Sequence, residues 1–337
     1  MRMKLRAKNI LMLVLICTFS VQAQSQFSDI NSMPGAFSRM GFGARGMGMG
    51  NAISAVKDGN LVSYYNPALA PFQEGNSFQT SYSFLSIDRT LNFINYTRKF
   101  EMGKRTGADG QEKPRSTAGI SVGLINAGVS KIDARDSQGN KTGDLSTSEN
   151  QFFVAVANRF SEKLSIGISF KFLYYKLYES VTSSGIGFDI GALYLLNDAI
   201  SLSLMISDIN SKYQWDTSTL YGTQGMTTKV NFPLLKKIGI AYKFTEPKLI
   251  AALEFENSNG GTNILRCGAE YNIHENLFLR AGIDKLNLSN FNYPVRPSFG
   301  FSYFYPLNAV KIGIDYAFVI EPYSSSDQHI VGVNVNF

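Results

Sequence analysis

The residues from Lys163 to Tyr175 alternate with a period of two. Leu164, Ile166, Ile168, Phe170, Phe172 and Tyr174 fall on one side, and Ser165, Gly167, Ser169 and Lys171 on the other. Successive side chains of a strand point to opposite faces, so this pattern makes a strand with one apolar face. The same alternation returns at Val310, Ile312, Ile314, Tyr316 and Phe318 against Lys311, Gly313 and Asp315. From Asn76 onward it recurs in fourteen segments, starting near 77, 90, 116, 150, 163, 184, 199, 235, 247, 263, 276, 297, 309 and 327. Most are about 9–13 residues long, the length of a tilted strand that crosses a bilayer. Nowhere does the chain carry an apolar run of about 18 residues, as a transmembrane helix requires.

The connections carry a second signal. Ser161-Glu162, Asn197-Asp198, Thr245-Glu246-Pro247, His274-Glu275-Asn276 and Pro306-Leu307-Asn308 are tight turns. Between them lie longer polar stretches at 130–149, 208–233, 257–263, 286–296 and 321–328. Short turns alternating with long loops mark an outer-membrane barrel. Two connections depart: Asp88-Arg89 is short where a long loop is expected, and 103–115 is long and charged where a turn is expected. A soluble sandwich has the same periodicity with its apolar face turned inward. Three features favour the inside-out barrel. The strand number is even, the strand ends are rich in Phe and Tyr as interfacial girdles are, and the chain ends in HIVGVNVNF. Its terminal Phe337 on an alternating strand resembles the insertion signal read by the barrel assembly machinery. The expectation is all-β: a fourteen-stranded antiparallel transmembrane β-barrel with an N-terminal plug segment, in the outer membrane of a Gram-negative bacterium.

The N-terminus reads as an export signal. Arg2, Lys4, Arg6 and Lys8 precede an apolar core from Ile10 to Phe19, and Val21-Gln22-Ala23 places cleavage after Ala23. Removing four basic residues takes the formal charge from +6 to +2. The basic balance therefore belongs to the signal, and nothing points to nucleic acid. The mature chain keeps one cysteine, Cys267, so it forms no internal disulfide. The expected division is 1–23 signal peptide, 24–75 plug segment and 76–337 barrel.

If the apolar face meets lipid, the opposite face lines a lumen. It carries Lys171, Asp189, Lys237, Glu254, Glu256, Arg266, Glu270, Arg280, Asp284, Lys311 and Asp315. Acids and bases nearly cancel, which suggests ion-pair networks holding a plug rather than a charge-selective pore. On that reading Arg266→Ala loosens the plug. Eight strands already enclose about as much as side chains can fill, so fourteen leave space. The Gly- and Met-rich stretch from Ser32 to Asn51, followed by LVSYYNPALAPF, is the segment available to fill it. Glycine permits close backbone approach and Met adapts to irregular gaps.

Several motifs carry little. Gly41-Phe42-Gly43-Ala44-Arg45-Gly46 spells a dinucleotide fingerprint, but no buried strand precedes it. With His274 in a turn, His329 near the last strand and one mature Cys, no metal cluster has ligand spacing. Neither His has an evident nucleophile partner, and a His-poor, aromatic-rich composition favours a non-enzyme without cofactor. Trp215, Tyr213 and Tyr221 sit in the long 208–233 loop, where packing within the loop explains them.

The blocks 42–52, FGARGMGMGNA, and 64–70, YYNPALA, resemble the signature of the PorV/PorQ (UPF0164-like) outer-membrane proteins, within the FadL-type fourteen-stranded barrels. The resemblance rests on Gly43, Ala44, Arg45, Gly46, Gly48, Gly50, Asn66, Pro67 and Ala68. It implies a barrel plugged by its own N-terminal segment. PorV-like members bind cargo signal domains in type IX secretion and hand them to surface attachment. FadL-type members pass hydrophobic compounds through the wall. The first expectation is thus an accessory or shuttle of type IX secretion, with secreted cargo signal domains or secretion-system subunits as partners. The alternative is a FadL-like transporter for hydrophobic small molecules. On the transport reading Asn66-Pro67-Ala68 sits beside the permeation path; on the structural reading it locks the plug.

Overall fold

A computed structural model describes residues 29–106, 112–178 and 180–337. The signal peptide lies outside the described residues. Sixteen strands follow one another: β1 Asn76–Phe84, β2 Arg89–Thr106, β3 Glu112–Arg135, β4 Lys141–Arg159, β5 Leu164–Tyr178, β6 Val181–Leu195, β7 Ile200–Ile209, β8 Lys212–Asp216, β9 Thr227–Asn231, β10 Leu235–Phe244, β11 Leu249–Ser258, β12 Asn263–His274, β13 Leu277–Asn287, β14 Arg296–Leu307, β15 Val310–Val319 and β16 Gln328–Asn336. All but β8 and β9 form one closed barrel, with β7 beside β10 and β1 beside β16. Every barrel pairing is antiparallel. The fourteen expected strands are these fourteen, most beginning within three residues of the expected starts.

The barrel is inside out. On β5, Ser165, Ser169 and Lys171 are buried while Ile166, Phe170 and Phe172 are exposed. On β1, Ser77, Gln79, Ser81 and Ser83 point in and Phe78, Tyr82 and Phe84 point out. Closure removes sheet edges, so backbone groups are satisfied within the wall, and the face turned to lipid is mainly apolar. Phe160, Tyr194, Tyr242, Phe244, Tyr303 and Tyr305 ring the end that carries the tight turns, as an aromatic girdle does. Both barrel termini lie at this end, where the Asn76 amide donates to the Phe337 carbonyl at 2.8 Å. The chain is a fourteen-stranded barrel of the Gram-negative outer-membrane type.

Three expected loops are folded differently. The stretch 130–149 continues the β3–β4 ladder as a ribbon above the wall, and only 136–140 turn. Asp136 builds that turn by accepting from the amides of Gln138 and Asn140, each at 2.9 Å. At the opposite end β2 and β3 stay paired to Thr106 and Glu112, so much of 103–115 is strand. The stretch 208–233 contains the β8–β9 hairpin, which lies against the lumenal face of β6; the Gln214 amide donates to Ser183 Oγ at 2.8 Å. Tyr213 and Trp215 pack with Tyr175 and Phe232 in a small apolar cluster. Local aromatic contact explains these two, whereas Tyr221, expected to pack with them, is exposed.

Candidate functional site

Two blocks of the N-terminal segment sit against opposite walls of the lumen. The first forms the short helix α1, Ala44–Gly48, against β13 to β16. The second is the 3-10 turn Pro67–Phe72 against β2 to β6. Each wall offers a row of small residues at one register level. Gly119, Ala157, Gly167 and Gly191 pair in sequence across β3 to β6. Ala252, Gly268, Gly282 and Ser298 pair across β11 to β14. A Cβ on Gly167 would stand 2.6 Å from the Pro67 carbonyl carbon, and one on Gly282 would stand 2.2 Å from the Gly50 nitrogen. The rows are thus backbone-to-backbone seats. Inward parity of these glycines was the sequence signal that could have revealed them.

Tyr65 ties the two blocks together. Its hydroxyl accepts from the Phe42 amide at 3.0 Å and donates to Asn51 Oδ1 at 2.6 Å. Burial raises its pKa far above the ordinary tyrosine value, so it stays a neutral donor. Gly46 passes beneath the ring, where a Cβ would stand 2.2 Å from the hydroxyl oxygen. Gly43 opens α1 at φ 71°, and Gly50 leaves it at φ 59° with its amide on Ser298 Oγ at 3.2 Å. Asn66 caps the turn by accepting from Ala68 N at 2.9 Å, and its amide donates to Ser54 and Ala192 carbonyls at 3.0 and 3.2 Å. The motif residues therefore meet each other and the wall. The dinucleotide spelling has no strand before it; a 3-10 turn, Phe37–Arg39, precedes it instead.

The lumenal charges gather in three groups. Arg45 reaches from α1 to Glu270, donating from Nε at 2.8 Å and Nη2 at 2.7 Å. Arg280 donates to the same carboxylate at 2.6 Å, and Arg45 Nη1 donates to the Asn60 carbonyl at 2.7 Å. Burial opposes charge on Arg45, yet Glu270 outweighs it and holds the guanidinium protonated. In the second group Arg266 binds Glu254 and Glu256 at 3.2 Å and Asp284 at 2.7 Å; Lys237 joins Glu256, and Arg296 joins Asp284 and Glu321. In the third, Lys171 lies 2.7 Å from Asp189 and 3.0 Å from Asp208. Asp315 accepts from Ser302 and Asn334.

The expected list needs two refinements. Lys311 is half-buried, with its ammonium 4.9 Å from the centre of the Phe304 ring. Arg266 bridges wall carboxylates and reaches the N-terminal segment through Asp284, which accepts from Asn51 at 3.1 Å. Two direct ion pairs join segment and wall among the described residues: the buried Arg45 with Glu270, and the more exposed Asp58 with Lys243 of β10 at 2.6 Å. Arg296, Asp208 and the partner role of Arg45 were missed by sequence reasoning.

Open space remains on both sides of the segment. Toward the loop end, cavities of about 490 and 300 Å³ share Lys285, Arg296, Glu321 and Tyr323. Toward the turn end, a cavity of about 210 Å³ is lined by Arg45, Glu270, Arg280 and Lys311. Among the described residues no group of His, Cys, Asp and Glu is placed to hold a metal.

No family model matches the chain, and no curated protein matches it. Solved structures do. CymD, a monoaromatic hydrocarbon channel, superposes with a TM-score of 0.61 at 17% identity, over 90% of this chain and 99% of that one. The toluene transporter TodX of P. putida gives 0.54 at 14%, over 88% and 99%. A FadL homologue of Pseudomonas aeruginosa gives 0.51 at 11%, over 87% and 97%. These likenesses show the fold, that of the FadL-type fourteen-stranded barrels, and none of them speaks for the PorV/PorQ group in particular.

Proposed function

We propose that this chain is a channel for small hydrophobic molecules across the outer membrane, closed at rest by residues 24–75 after removal of 1–23. The observation that carries this reading is a lumen occupied by a segment seated on two small-residue rows, within a barrel shaped like hydrocarbon channels along nearly its whole length. The segment is held by polar contacts and by ion pairs such as Arg45 with Glu270 and Asp58 with Lys243 rather than by covalent links, so it can move without disrupting the wall. Asn66-Pro67-Ala68 serves as its anchor to β6. Uptake of toluene by cells expressing the chain tests this. Faster uptake than in cells without it is expected; equal uptake refutes the reading.

The resemblance of the FGARGMGMGNA and YYNPALA blocks favours a second reading, an accessory of type IX secretion. It predicts that the intact barrel, purified from its own cells, carries secreted cargo or secretion subunits. A barrel recovered without such partners counts against it.

A further inference from the structure

We infer that the loop-end vestibule is a binding site for a compact organic carboxylate, a flat apolar body bearing one anionic group. The cavity of about 490 Å³ lies between the N-terminal segment and the loops that follow β11, β13 and β15. Its cations are unequally used. Lys285 sits at φ 59° within a break in the β12–β13 register, is exposed, lines the cavity, and among the described residues makes no ion pair. Arg39 turns its guanidinium to backbone carbonyls, Pro34 at 2.6 Å and Ile30 and Met33 at 3.4 Å, and not to a carboxylate. Arg296 is 4% exposed, and its Nε has no acceptor; buried Thr262 Oγ1 is also without a partner. Buried donors of this kind call for an acceptor, and a carboxylate supplies two oxygens.

The remaining lining sets the body of the ligand. Tyr293-Pro294 and Pro322-Tyr323 give flat apolar surfaces on two facing loops. Arg266 and Arg296 also line the cavity, and its two carboxylates are already paired with them, Glu256 with Arg266 and Glu321 with Arg296, which among the described residues leaves Lys285 and Arg39 as the cations free of a carboxylate. The charged side chains of Arg266, Arg296 and Glu256 stand beside the tyrosine and proline faces, which suits an aromatic acid better than an extended acyl chain. The inference stands on this vestibule alone and holds whichever solute the barrel passes.

The test is calorimetry on the mature chain in nanodiscs, with benzoate, benzamide, octanoate and inorganic phosphate as probes. Saturable benzoate binding is expected, with benzamide at least about tenfold weaker because it lacks the charge. Lys285→Gln should weaken benzoate about tenfold, Arg39→Gln should weaken it as well, and Lys285→Arg should retain it. Equal binding of benzamide, no loss in either Gln variant, or no saturable benzoate heat through the millimolar range overturns the assignment. Tighter binding of octanoate overturns the compact ligand, and phosphate binding as tightly as benzoate overturns the organic one. Unchanged toluene uptake beside absent benzoate binding would sink this inference and leave the channel reading standing.

Discussion

Arg45→Met should unseat α1 while leaving the barrel closed. Arg45 and Glu270 form a two-point contact with side chains 9% and 5% exposed. Breaking a buried pair by removing one partner costs about 3–5 kcal/mol. Glu270 keeps Arg280 at 2.6 Å, so the low end applies, about 3 kcal/mol. That is roughly a hundredfold rise in the population with α1 released. Hydrogen exchange reads it directly at the amides of Met47, Met49 and Asn51, which donate to Gly43, Arg45 and Gly46 carbonyls. Their exchange should accelerate by about two orders of magnitude, with amides of β10 to β15 unchanged. Glu270→Gln should do at least as much, since it leaves two guanidinium groups facing each other. Parental exchange at these three amides in Arg45→Met would refute the idea that this pair holds the segment.

Other outcomes follow from the same geometry. Gly282→Val should displace Gly50 and expose the 48–52 backbone to exchange, because no Cβ fits 2.2 Å from the Gly50 nitrogen; an unchanged exchange pattern would contradict the seat. Deleting Phe337 removes the reciprocal pairing with Asn76, at 2.8 and 3.0 Å, and should lower the folded barrel recovered from membranes, seen as heat-modifiable migration on gels. Hydrogen bonds from Asn140 first, then Gln138 and Gly139, hold the Asp136 carboxyl below the usual carboxylate range. A depressed value stabilises the turn above the ordinary carboxylate pKa and is lost as pH falls through the depressed one. Carboxyl NMR should show the depression, and Asp136→Ala should disorder the 136–140 turn at neutral pH.

Strand positions were legible because the wall has two solvents, lipid outside and a packed polar lumen inside. Each imposes parity on every strand, so Leu164 to Tyr174 declares its face without reference to any other strand. Parity fails where the backbone slips. Asp208, at φ 63°, and Lys285, at φ 59°, both sit at register breaks and point inward out of phase, so neither joined the expected lumenal set. The charges that did join, such as Glu254 and Arg266, lie on regular ladder. Arg45 was seen as a motif residue, yet its partner lies 225 residues away, a distance that no local pattern spans. The β8–β9 hairpin escaped because five-residue strands with one buried side chain, Tyr213, carry little alternation. Wall glycines were visible one at a time; their alignment into rows depends on the register of several strands together.

The central claim, that the N-terminal segment occupies the lumen, is tested most directly by a cross-link. Ser54 on the segment and Ser203 on β7 place their hydroxyl oxygens 2.9 Å apart across the lumenal interface. In a Cys267→Ser background, Ser54→Cys with Ser203→Cys should form a disulfide on treatment with a copper–phenanthroline oxidant, which takes the two electrons while the two thiol protons pass to water, since sulfur atoms this close need little backbone adjustment. The expected result is a shifted band on non-reducing gels that reverts with reductant and is absent from either single variant. Two free thiols in the folded double variant, both open to a membrane-impermeant reagent, would contradict the account.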